Sequence, residues 1–152
     1  MIEPVRVLVS ACLLGEKVRY DGGHKFSPVL AGSLGAFVEW IRVCPEVDCG
    51  LSIPREPMRL AGDPGHPRLV TCHSGIDHTE RMERWAKALL DELSGVDLRG
   101  YVCKEDSPSC GMEPAGVFTR MFIERFRHLP VEEEGRLADR ALRETFLRRI
   151  KA

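Results

Sequence analysis

Apolar residues recur along the chain in two rhythms, and the points where one gives way to the other define the elements. Val5-Arg6-Val7-Leu8-Val9 is a short β-branched run, and its continuous rather than alternating character suits a strand buried on both faces. It leads into Ser10-Ala11-Cys12-Leu13-Leu14-Gly15, which puts Cys12 just past the strand's carboxyl end. The polar stretch from Lys17 to Lys25, with a Gly22-Gly23 pair, reads as a loop close to the same edge. Ser27-Pro28 is a helix start, because the Ser hydroxyl caps free N–H groups and Pro occupies a first-turn position that needs no donor. Leu30, Leu34, Phe37 and Ile41 then recur at helical spacing, weakened by Gly32 and Gly35. This helix is expected to run into a second short strand, Trp40-Ile41-Arg42-Val43, that ends at Cys44.

Residues 52–68 hold four prolines and two glycines and are expected to be irregular, contributing Arg55 and Arg59 either to an anionic or carbonyl-rich ligand or simply to solvent. Leu69-Val70-Thr71 reads as a short strand. Asp77 and Glu80 resemble a reciprocal cap, after which Met82, Trp85, Leu89, Leu90 and Leu93 share one helical face. Val96 to Cys103 supplies a further strand, and helices are expected over Val117 to Phe126 and, capped near Asp139, over Leu142 to Ile150. Between them Glu132-Glu133-Glu134-Gly135 reads as a solvated acidic turn. There is no internal repeat or low-complexity linker.

Strands alternating with helices predict one α/β, Rossmann-like domain over residues 1–152, its mainly parallel sheet flanked by helices. In such sheets the ligand crevice lies beyond the carboxyl ends of the strands. Cys12, Cys44 and Cys110 each follow a predicted strand, so three thiols converge at that edge, where a metal site is expected.

Composition narrows the setting. No apolar stretch approaches the ~20 residues that span a bilayer, and no basic segment followed by an apolar one opens the chain, so the protein is read as cytoplasmic with no membrane partner. Lys+Arg at 22 against Asp+Glu at 23 gives no global footprint for a long nucleic acid. Six cysteines are many for a reducing compartment, and this directs attention to metal binding or catalysis.

The spacing alone leaves a [4Fe-4S] cluster, a zinc ion and a metal-free site all open, since no C-x-x-C pair is present. Cys49 is an alternative to Cys44, and a Cys/His nucleophile using His24, His66, His73 or His78 is a further option. Glu46 is the candidate for proton transfer, because a carboxylate withdrawn from water has its pKa raised toward neutrality. Ser107 and Ser109 either bond a ligand or shape the turn that presents Cys110.

Three groups of residues carry a resemblance. They are Ser10-Ala11-Cys12-Leu13-Leu14-Gly15 with Val18-Arg19-Tyr20-Asp21-Gly22-Gly23-His24-Lys25; Cys44-Pro45-Glu46 with Gly50-Leu51 and Pro54-Arg55-Glu56-Pro57; and Ser107-Pro108-Ser109-Cys110-Gly111-Met112-Glu113. Together these closely resemble the DUF523 family, which includes thiouracil desulfidases; Leu129 to Leu137 resembles the form of the domain sometimes followed by a YbgA-like (DUF1722) domain, which is not expected here. The resemblance implies a [4Fe-4S] cluster held by Cys12, Cys44 and Cys110, whose unique iron takes the sulfur of a thiolated nucleobase. It further implies Glu46 as acid/base, assisted by Ser109 or Ser107, with Arg55, Tyr20 and Asp21 on the substrate. The expected chemistry is non-redox conversion of C=S to C=O with release of sulfide from a small thiolated base or nucleoside. A zinc-dependent or metal-free heterocycle hydrolase, and a non-catalytic cluster-bearing or sulfur-carrier module, are the alternatives.

Overall fold

The run Val5–Ser10 forms β1 at the interior of a four-stranded sheet, and everything that follows is placed relative to it. A computed structural model of the chain describes residues 4–112 and 114–152; Glu113, which closes the third motif, lies outside the described residues. After β1 come β2 (Val38–Val43), the one-turn helix α1 (Pro45–Asp48), β3 (Met58–Ala61) and β4 (Arg68–Thr71). Then follow α2 (Thr79–Leu93), β5 (Leu98–Cys103), α3 (Val117–Arg125), β6 (Val131–Glu133) and α4 (Arg140–Lys151).

The sheet runs β2-β1-β5-β6 with every pairing parallel, as the alternation of strands and helices predicts. Successive residues of β1 enter opposite cores, because side chains alternate across a strand. Val7 and Val9 pack with Val102 against Leu30, Leu34, Phe146 and Ile150 on one face. Leu8 packs with Tyr101 and Cys103 against Ala86, Leu90, Phe118 and Phe122 on the other. The two cores therefore cover both faces of β1 from Val7 onward, which is why it reads as a nearly continuous apolar run.

Four local expectations are corrected. The helix expected from Ser27 toward Ile41 is instead a π-type turn over Leu30–Leu34 and a 3₁₀ turn over Gly35–Phe37, and the strand begins at Val38. A Cβ on Gly35 would sit 2.8 Å from the Leu30 carbonyl oxygen, so the glycine permits this tight turn. Beyond it, pairing of Val38 to Val43 with β1 overrides the helical spacing of Ile41.

The irregular reading of residues 52–68 missed β3, which pairs antiparallel with β4 in a separate hairpin. Its four residues fit between Pro57 and Gly62, too short a window to register as a periodic strand. Asp77 and Glu80 do not form a reciprocal cap: both pair with Arg68, and Asp77 accepts the Thr79 amide at 2.9 Å. The acidic run is not a solvated turn either, since Val131–Glu133 is β6 and Glu132, Glu133 and Glu134 all accept hydrogen bonds.

The other helices stand where expected, including α4 with the Asp139 side chain accepting the Leu142 amide at its start. Among the described residues no helix is long and apolar enough to cross a membrane.

Leu8 is fully buried at the centre of this arrangement. Leu8→Ala is expected to destabilise the fold by about 2–5 kcal/mol, read from the midpoint of urea unfolding, through the cavity it leaves.

Candidate active site at the carboxyl edge of the sheet

The chain leaves β1 for β2 on one side and later crosses to β5 on the other. The carboxyl ends of β1 and β5 therefore flank the point where strand order reverses, the place where open α/β sheets hold their ligands. A cavity of about 190 Å³ lies at this edge, lined by residues that directly follow β1, β2 and β5.

Each of the three motif cysteines reaches the cavity from a differently built corner. Cys12 sits in a 3₁₀ turn over Ala11–Leu14 that ends at Gly15, whose φ of 92° is in the left-handed region glycine favours. Cys44 begins α1, and its amide donates to Asp48 Oδ2 at 3.0 Å, while Pro45 enters the first turn with no donor to satisfy. Cys110 is presented by a turn in which Ser107 Oγ accepts the Ser109 and Cys110 amides at 3.2 and 3.0 Å. That turn is backed by Gly116, where an added Cβ would lie 2.5 Å from the Ser109 carbonyl oxygen.

All three thiols are buried and line the one cavity. Burial pushes Cys12 up to about 11, with the positive charges of Lys104 and Arg19 acting the other way. Burial likewise raises Cys44, and carries Cys110 to about 12 against hydrogen bonds from Ser10 and Tyr101.

Among the described residues no three His, Cys, Asp or Glu side chains stand together as ligands of a single metal ion. A [4Fe-4S] cluster spreads its thiolate ligands over different irons, so its donor set is wider than that of one ion. Three buried thiols on separate corners of one cavity are chemically suited to such a cluster and less suited to zinc.

Beside them Glu46 is bonded at both oxygens. Its Oε1 accepts Arg55 Nε at 2.8 Å and its Oε2 accepts the Ser109 hydroxyl at 2.9 Å. Withdrawal of Glu46 from water is thus accompanied by a countercharge, an element the sequence reading did not include. Arg55 is no surface arginine: its side chain is 8% exposed, and it also donates to the carbonyls of Val18 and Ser52 at 2.8 and 3.1 Å.

The remaining expected residues divide. Ser109 faces Glu46, whereas Ser107 spends its oxygen on the turn. Tyr20 lies at the rim, with the Arg19 guanidinium 5.5 Å from its ring centroid. Asp21 is not part of the lining; it accepts the Gly23 amide at 2.8 Å and pairs with Arg19, shaping the loop.

Cys49, the alternative to Cys44, does not line the cavity but packs near Met58, Leu60 and Trp85. Cys103 is in the core and Cys72 is exposed. None of His24, His66, His73 and His78 lines the cavity. Ser10 and Lys104 do line it and were not singled out from sequence, although a serine closing an apolar strand is a legible signal. Tyr101, behind them, carries no such signal.

The model of the 2-thiouracil desulfurase family matches residues 7–143. The chain belongs to this family. As a 2-thiouracil desulfurase family member it is 34% identical over 110 residues to the uncharacterized protein YbbK of Bacillus subtilis, a match that covers 69% of the chain and 72% of that protein. Its fold is similar to the solved structure of a [4Fe-4S]-dependent thiouracil desulfidase, TudS, with a TM-score of 0.71 and 35% identity over 93% of this chain and 98% of that one. The family expected from the three motifs, and the parallel α/β fold expected with it, are thereby borne out.

Gly116→Ala is expected to cost about 1–3 kcal/mol of stability, because its Cβ cannot enter without moving the Ser109–Cys110 backbone. Thermal or urea unfolding checks this, and a variant as stable as wild type contradicts the geometry.

Proposed function

We propose that the chain is a [4Fe-4S]-dependent desulfidase that converts the thiocarbonyl of a thiolated pyrimidine base to a carbonyl and releases sulfide. The observation that carries this reading is the meeting of Cys12, Cys44 and Cys110 around one cavity beside the Glu46–Ser109 pair. The similarity to TudS supports the choice of cluster over zinc. On this reading Cys12, Cys44 and Cys110 hold the cluster, and Cys49 is a packing residue. When bound, the cluster supplies one iron without a protein ligand, a soft Lewis acid suited to a thiocarbonyl sulfur.

The chain's own groups supply the proton transfers. Water adds to the thiocarbonyl carbon, and Glu46 Oε2, exchanging its bond from Ser109 for one from that water, takes the proton. The same carboxyl returns that proton to the sulfur, takes the second proton from the new hydroxyl as the C–S bond breaks, and passes it to the departing hydrosulfide, so that thiocarbonyl and water become carbonyl and hydrogen sulfide with no electrons exchanged. Ser109, freed to donate elsewhere, is placed to bond the oxygen that forms at the same carbon. Arg55 orients Glu46 and, lining the cavity with two of its five N–H donors left over from its bonds to Glu46 and two carbonyls, is assigned to the substrate as well. Tyr20 is assigned to the face of the base at the rim, and Asp21 to holding the loop that carries Tyr20.

The cavity matches a small thiolated base better than a long nucleic acid, and the near-neutral charge of the chain favours no polyanion. All six cysteines are free, in keeping with a reducing, cytoplasmic setting.

Anaerobically reconstituted protein is expected to be brown, to hold about four irons per chain and to release sulfide from 2-thiouracil. A colourless protein with one zinc, or a cluster-loaded protein that leaves thiolated bases intact, overturns the proposal. Glu46→Gln is expected to keep the cluster and lower turnover by about 10²- to 10⁴-fold, measured as sulfide release. Full turnover in that variant removes Glu46 from the mechanism.

A further inference from the structure

We propose that the Lys104 ammonium reads the remaining ring carbonyl of the bound base, which makes it the residue that selects a thiolated uracil over a thiolated cytosine. The inference rests on the desulfidase reading proposed above and adds to it the edge of the base that the site recognises.

Lys104 directly follows β5 and lines the cavity, and its side chain is only 17% exposed. Its amide donates to Ser10 Oγ at 3.1 Å, which ties the exit of β5 to that of β1. Its Nζ donates to the Glu105 carbonyl at 2.6 Å, and the Glu105 amide donates to Glu134 Oε1 at 2.7 Å. The backbone of one residue thus holds both the ammonium and its counter-ion, whose Oε2 is 3.8 Å from Nζ.

Donor accounting leaves this ammonium with capacity to spare. It carries three N–H donors and no acceptor. The Glu105 carbonyl takes one, and Glu134 at 3.8 Å stands beyond hydrogen-bond length. Two donors are therefore unspent among the described residues, on a side chain largely withdrawn from water at the wall of a cavity. A ligand that brings an acceptor satisfies what the protein leaves open.

The carboxylates of the same wall do not offset this. Glu46 already accepts Arg55 and Ser109, Glu105 has its carboxylate against Gly135, and Asp106 is exposed. The sheet order also separates the tasks. Glu46 and Arg55 come after β2 and Lys104 after β5, with β1 between the two strands. The thiocarbonyl carbon is worked from the Glu46 side, which leaves the Lys104 side to the rest of the ring. A ring carbonyl there accepts from the ammonium. An amino group in its place turns N–H donors toward a cation that cannot accept them, so the ammonium stays unpaired and the base is rejected.

Uracil and cytosine are the probes, because neither carries sulfur and their binding is read without turnover. Each is titrated calorimetrically into anaerobically reconstituted wild type, Lys104→Met and the double variant Lys104→Met/Glu134→Gln, which removes the counter-ion together with the charge. Wild type is expected to bind uracil about 10- to 100-fold more tightly than cytosine. Both variants are expected to lose this preference because uracil binding weakens and cytosine binding does not, with iron and sulfide content as in wild type. The ratio of kcat/KM for sulfide release from 2-thiouracil and 2-thiocytosine is expected to change by the same factor, mainly through KM. Variants that keep the wild-type preference overturn the inference, as does equal weakening of both bases. A double variant that fails to fold or loses its iron also overturns it, because the charge is then structural. Wild type that releases sulfide but does not distinguish the bases overturns this inference alone. Wild type that assembles no cluster, or releases no sulfide from either thiolated base, overturns the desulfidase reading and this inference with it.

Discussion

The pairing of β1 with β2 on one side and β5 on the other is the constraint on which the site depends, because it brings three separate chain exits to one edge. Ser10 stands level with Val43 in the parallel register, and Val9 with Val102, so the chain leaves all three strands at nearly the same height. Parallel pairing requires long crossovers, and these are the segments that build the two helical layers. Burial of Leu8 on one face and of Val7 and Val9 on the other fixes the register, since a slip of one residue would exchange the faces of every side chain. Cys12, Cys44 and Cys110 are thus neighbours through backbone hydrogen bonding, not through any attraction of their own.

Upon that frame a short polar chain sets the detail. Arg55 joins the loop at Val18 to Glu46, and Glu46 joins Ser109, so one buried ion pair and its hydrogen bonds connect all three corners. A buried charge pair brings specificity of arrangement more surely than net stability, because desolvation offsets much of its attraction. Here the arrangement places a carboxylate oxygen and a hydroxyl beside three thiols. The Gly111 amide bonded to the Ser107 carbonyl, and Gly116 pressed against the Ser109 carbonyl, keep that hydroxyl in place.

Those parts of the fold whose signals are local were legible in the sequence. β1 was apparent from its continuous β-branched run, α2 from its periodicity, and α4 from Asp139 at its start. β3 and β6 were not, because each is three or four residues long and exists only through its partner strand. The stretch before β2 misled for a related reason: Leu30, Leu34, Phe37 and Ile41 match a helix, yet Val38 to Val43 gain more by joining β1. The acidic run offered charge without partners, and Lys104, Arg136 and the amides of Glu105 and Met112 became visible only in three dimensions.

Sequence by itself determined the family, the parallel α/β class and the residue types of the site, since motifs and periodicity are properties of neighbours along the chain. Tertiary structure alone decided which serine faces Glu46, that Arg55 pairs with Glu46, and that Ser10 meets Tyr101. These are contacts between residues far apart in sequence, and their partners are chosen by strand order and register, which no local pattern encodes.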